Sequence, residues 1–154
     1  MAYHDELLQQ AFDLAGKNPE NPIQADLRRS VSSAYYALFH LLISETIAHW
    51  SLDSSRDALS RMFEHGVMKK VSAKISDAKL FPFNGEDPSI VQKLRTVAQS
   101  FCLLQEKRKI ADYDNTTIWV HFEALREVKK AENAFSTWQS IKRRKSPRTT
   151  SSRC

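Results

Sequence analysis

With 154 residues, 42% of them hydrophobic and 27% charged, the chain has material for one globular domain around one core. No apolar run reaches the roughly 18 residues that a bilayer-crossing helix needs, and the opening Met1-Ala2-Tyr3-His4-Asp5-Glu6 lacks the basic-then-apolar order of a secretory leader. The expectation is therefore a soluble, cytoplasmic protein with no membrane role.

Apolar residues recur at spacings of three and four, and no stretch alternates as a strand would. This predicts an all-α fold, an up-and-down bundle of four to five helices over residues 1–141. The first helix is expected over about 3–16, short and peripheral, with Leu7, Leu8, Ala11, Phe12, Leu14 and Ala15 inward, ending at Gly16 before a breaker cluster of Asn18, Pro19, Asn21 and Pro22. The second, from about Pro22 to Trp50, carries the stripe Leu27, Val31, Ala34, Tyr35, Leu38, Leu41 and Leu42. Further apolar residues at Phe39, Ile43, Ile47 and Trp50 give it two apolar sides and a central place.

A third helix is expected after the caps Asp53, Ser54 and Ser55, with Leu59, Phe63, Val67, Val71 and Ile75 on one face and Gly66 interrupting it. Asp87 and Pro88 then open a fourth, with Val91, Leu94, Val97, Ala98, Phe101 and Leu104 inward as far as about Ala111. Asp114, Asn115 and Thr116 make a turn. The fifth places Ile118, Phe122, Leu125, Val128, Phe135 and Trp138 inward and gives way near Ile141 to a disordered basic tail, 142–154.

The formal charge of +5 is unevenly placed. The tail holds six basic side chains and no acid, which leaves seventeen basic and eighteen acidic residues in the body. The body is not basic, so salt-sensitive attraction to phosphate backbones belongs to the tail.

Polar residues break the helical pattern in two places. Arg29, Ser33, Tyr36 and His40 follow one another at steps of four, three and four, which puts all four on one ridge of the second helix beside heavily apolar surface. Arg108 and Asp112 are four apart on the fourth helix, and an arginine facing a core needs a carboxylate or another strong acceptor. Two readings follow. Arg108 pairs with Asp112 while Tyr36 and His40 satisfy each other or a backbone carbonyl to fix helix register, giving a purely structural scaffold; or these groups line a polar pocket or dimer groove that holds a phosphate, with Arg108 and Arg29 as donors and Tyr36 or His40 as adjuncts.

Three stretches resemble a known family: Arg29-Ser30-Val31-Ser32-Ser33-Ala34-Tyr35-Tyr36-Ala37-Leu38-Phe39-His40, Phe63-Glu64-His65-Gly66, and Lys107-Arg108-Lys109-Ile110-Ala111-Asp112-Tyr113-Asp114. Their AYYA-x-FH and R-x-x-ADY pieces are similar to a non-toxin branch of the HEPN superfamily, the nucleotide-binding domains of higher eukaryotes and prokaryotes, over about residues 20–140. The resemblance implies a helical bundle that pairs into a homodimer and binds nucleotide or RNA, and it makes a nucleotidyltransferase or an antitoxin the candidate protein partner. The ligand-binding candidates are Arg29, Ser33, Tyr36, His40, Arg108, Asp112 and Tyr113.

Many members of that superfamily are metal-independent endoribonucleases, of toxin or defence type, whose Arg is followed four to six residues later by a His. Here Arg108 is followed by Lys109, Ile110, Ala111, Asp112, Tyr113, Asp114 and Asn115, and the next histidine is His121. Arg61 and His65 are separated by only three residues and lie on another helix. Attack by a ribose 2′-hydroxyl needs a base that titrates near neutrality and a cation for the charged phosphorane. Arg108 qualifies as the cation, whereas the base is missing from its place. His40 is the substitute candidate, and Tyr113, with an ordinary tyrosine pKa near 10, is a poor base. A binding or partner role is the first expectation and a ribonuclease the alternative.

Cofactors and metals are not expected. Gly16, Gly66 and Gly85 are too far apart for a phosphate loop, and Cys102 and Cys154 cannot build a zinc site. His4, His40, His49, His65 and His121 form no ligand pair, and Glu45 with His49 reads as a surface hydrogen bond. Ser32, Ser33, Ser44 and Ser72 have no base-plus-orienter constellation nearby. Trp50, Trp119 and Trp138 read as core or interface anchors.

Overall fold

The structure, a computed structural model, describes residues 1–49 and 88–151. The expected third helix, the 81–87 connection and Trp50 lie outside the described residues. Those described fold into four helices without a strand: α1 (Tyr3–Gly16), α2 (Gln24–His49), α3 (Pro88–Tyr113) and α4 (His121–Ser151).

Side-chain pairs fix the directions. Tyr3 meets His40 and Ser33 bonds Gln10, so α1 and α2 run antiparallel. Arg28 reaches the carbonyl of Ala111, near the end of α3, and Lys93 near its start bonds Ser140 late in α4. Each sequence neighbour is therefore antiparallel, and the four helices form the expected up-and-down bundle. The centre belongs to α2, which touches all three others, while α1 packs on α2 and α4 and leaves α3 alone. Leu27, Val31, Ala34, Tyr35, Leu38, Leu41 and Leu42 are all buried, as the stripe predicted. Ser30, Ser32 and Ser33 are buried with them; Ser30 meets its polar requirement by donating to the Leu27 carbonyl at 2.6 Å.

Helix ends follow local chemistry. The N–H of Ala2 donates to Asp5 Oδ2 at 3.3 Å at the start of α1. The chain leaves α1 at Gly16, but the left-handed residue that turns it is Asn18, at φ 49°. Between α3 and α4, Asp114 accepts from the Thr116 N–H (2.9 Å), the Thr116 hydroxyl (2.6 Å) and the Thr117 hydroxyl (2.9 Å), the expected turn. These bonds lower the carboxyl pKa below its ordinary 3.8.

Two expectations fail at the start of α4. Ile118 is 75% exposed and Phe122 69% exposed, while Trp119 between them is buried. The helix begins only at His121, so its periodicity does not extend back to Ile118. Gln24 accepts from the Trp119 N–H (2.8 Å) and donates to its carbonyl (2.7 Å), which seats the indole inward. Phe122 faces out beneath the Arg126 guanidinium, 5.9 Å away. At the other end, α4 stays helical to Ser151, past the expected break near Ile141.

Candidate functional site

Tyr3, Leu7, Gln10 and Leu14 on α1 repeat the four-three-four steps of Arg29, Ser33, Tyr36 and His40 on α2. The two ridges face each other across a groove of about 520 Å³, whose wall also includes Ser32. The Tyr3 and His40 rings meet nearly perpendicular, with centroids 5.0 Å apart, and Ser33 Oγ donates to Gln10 Oε1 at 3.2 Å. Extending that antiparallel register sets Leu7 opposite Tyr36 and Leu14 opposite Arg29. All four residues of the predicted polar ridge therefore line one concavity. Its volume falls in the range of small-ligand sites, roughly 300–1,000 Å³.

Arg108 sits behind this wall, not in it. It is only 7% exposed, with its guanidinium carbon 5.1 Å from the Tyr35 ring centroid and 5.9 Å from that of Tyr36. Its Nη1 is 3.7 Å from Asp112 Oδ2, which also accepts from Ser32 Oγ at 3.4 Å. The Nε of Arg108 has no hydrogen-bond partner among the described residues. Burial pushes the Tyr35 phenol well above its ordinary 10.0, against a downward pull from Arg108 and with a further push from Tyr36. Thus Arg108, Asp112 and Ser32 back the tyrosine pair, and Tyr36 is shared between this cluster and the groove. Tyr113 stands apart, 74% exposed at the end of α3.

A second polar ridge escaped the sequence reading. Gln24, Arg28 and Ser32 lie at steps of four on the face of α2 that meets the α3–α4 turn. Arg28 donates to the carbonyls of Ala111 (3.1 Å) and Asp114 (2.9 Å) through Nη1 and of Thr117 (2.6 Å) through Nη2. Adjacent residues on a helix point about 100° apart. Arg28 therefore caps α3 while Arg29 reaches the groove. Tyr3 and Gln10 also escape a reading that makes α1 peripheral; the matching rhythm of the two ridges is the signal that reveals them.

Glu45 is buried, against the expected surface role. Trp119 is buried and Trp138 half-buried, consistent with core anchors. No group of three or more metal-ligating side chains occurs among the described residues, and no helix among them is long and apolar enough to cross a membrane. Compared with known proteins, the chain matches no family model, no curated protein and no solved structure.

Proposed function

We propose that the chain is a HEPN-like bundle that binds nucleotide or RNA in the groove between α1 and α2, and that it does so without cleaving. The observation that carries this reading is the pair of matched ridges, which lines one concavity with a guanidinium, two serine hydroxyls, an amide, two phenols and an imidazole. Arginine and hydroxyl donors suit a phosphate, and aromatic rings suit a base. Arg29 is exposed at one end of this lining and makes no ion pair among the described residues.

The ribonuclease alternative requires Arg108 and His40 at one phosphate. Arg108 lies packed against Tyr35 and Tyr36 and is not among the residues lining the groove that holds His40, which favours binding over cleavage. The reading includes the homodimer that the HEPN resemblance implies, and sedimentation of the full chain checks that part.

Fluorescence anisotropy with labelled RNAs and nucleotides tests the reading. Wild type should bind, Arg29→Ala should lose most of the affinity, and RNA incubated in EDTA should stay intact. Negligible binding of every probe by wild type would remove the ligand. Cleavage in EDTA that disappears in both His40→Ala and Arg108→Ala would install the enzyme instead.

A further inference from the structure

The groove has a direction, and its order of chemistries matches one small molecule. At the Leu14 end stands Arg29, the one permanently charged side chain among the described residues of its lining. The Gln10 and Ser33 pair occupies the middle. At the far end come Tyr36, Tyr3 and His40. The eleven steps from Arg29 to His40 span about 16 Å of helix. Cation, hydrogen-bonding pair and aromatic platform therefore succeed one another along a single short channel.

We infer that the groove takes one nucleoside monophosphate unit, its phosphate at Arg29, its ribose hydroxyls over Gln10 and Ser33, and its base against Tyr3 and His40. This inference rests on the nucleotide-binding reading above and adds size, charge and polarity to it. One guanidinium balances one phosphate monoester better than a triphosphate, whose added charges would meet no second permanent cation among the described residues of the lining. Tyr3, 60% exposed on the first residue of α1, has open ring surface for stacking.

Calorimetric titration of the full chain with adenosine 5′-monophosphate, adenosine, inorganic phosphate, adenosine triphosphate and a short single-stranded oligoribonucleotide tests this. The monophosphate should bind roughly tenfold or more tighter than adenosine or phosphate alone, and no weaker than the triphosphate. Arg29→Ala should bring the monophosphate down to the level of adenosine and leave adenosine unchanged, whereas Tyr3→Ala should weaken both. Both residues are exposed, and unchanged thermal melting would verify that the variants fold. Oligonucleotide binding that the monophosphate cannot compete away would overturn the single-nucleotide inference while sparing the broader reading. Equal loss of adenosine and monophosphate in Arg29→Ala would overturn the assigned polarity. Failure of every probe would end both.

Discussion

The Arg108 guanidinium lies 5.1 Å from the centre of the Tyr35 ring, and both side chains are buried. A buried cation needs compensation, and here it comes from the face of one ring, part of a second, and a loose ion pair with Asp112. Arg108→Ala should lower stability by about 1–3 kcal/mol, because the cavity adds to an Asp112 stripped of its cation. Arg108→Met, which keeps most of the volume without the buried charge, should recover more than half of that loss. Urea denaturation of the three proteins measures the difference. If the alanine variant were as stable as wild type, this cluster would not be a structural support.

The same cluster predicts an alkaline limit. Burial raises the Tyr35 pKa in the folded chain above the unfolded value of 10.0. Below pH 10 the phenol is protonated in both states, and its full contribution to stability is present. As pH rises past that value the unfolded chain releases the proton while the folded chain holds it, so stability falls until the folded pKa is passed. Wild type should therefore lose more stability between pH 9 and 11 than Tyr35→Phe. Denaturant melts at the two pH values, with tyrosinate absorbance recorded through the transition, give the comparison.

Much of this architecture was legible before any coordinates, for a reason visible in α2. Its apolar stripe obeys a 3.6-residue period, and helix packing acts on that period directly, so Leu27 through Leu42 lie where the spacing put them. The same rule found the ridge of Arg29, Ser33, Tyr36 and His40. It could not say what lies opposite, because register between helices depends on loop geometry and on contacts distant in sequence. Tyr3 therefore went unnoticed, 37 positions from its partner His40. Ile118 and Phe122 were misplaced because helical periodicity was carried across a start that the Gln24 side chain overrides. Arg28 was missed because a side chain that caps backbone carbonyls leaves no trace in a hydrophobic pattern.

Asp114 supplies an acid-side prediction. Three hydrogen bonds to its carboxylate hold the pKa below 3.8, so they favour the charged form. Their stabilisation is present above the unfolded value and disappears as pH falls through the lower folded one. Carbon-detected NMR titration should place the Asp114 midpoint below the ordinary 3.8. A midpoint at the ordinary value would mean that the Thr116 and Thr117 bonds do not persist in solution.

Residues 142–154 carry six cations on or beyond the last part of α4, against a body with one excess negative charge. Chains lacking this segment should fold unchanged and show a weaker dependence of RNA affinity on salt, since fewer counterions are released. The slope of log affinity against log salt, measured with and without it, reads this directly. An unchanged slope would place the electrostatic contribution elsewhere.

Arg28 and Arg29 are neighbours in sequence with opposite assignments, which makes them a sharp paired test. Arg28 donates to three backbone carbonyls that the end of α3 and the following turn otherwise leave without these donors. Its removal should cost on the order of 2 kcal/mol. It should also accelerate amide exchange in residues 111–120, because the clamp between α2 and that turn is lost. Arg29 projects toward the groove with its side chain exposed, so Arg29→Ala should change stability by less than about 0.5 kcal/mol while abolishing most ligand affinity. Arg28→Lys should not rescue Arg28→Ala fully, since a single ammonium cannot reproduce the spread of a guanidinium fork across Ala111, Asp114 and Thr117. Hydrogen exchange by mass spectrometry, together with denaturant melts, separates the two arginines. A pair of variants with matching stability losses would show that their side chains do not point to different neighbours.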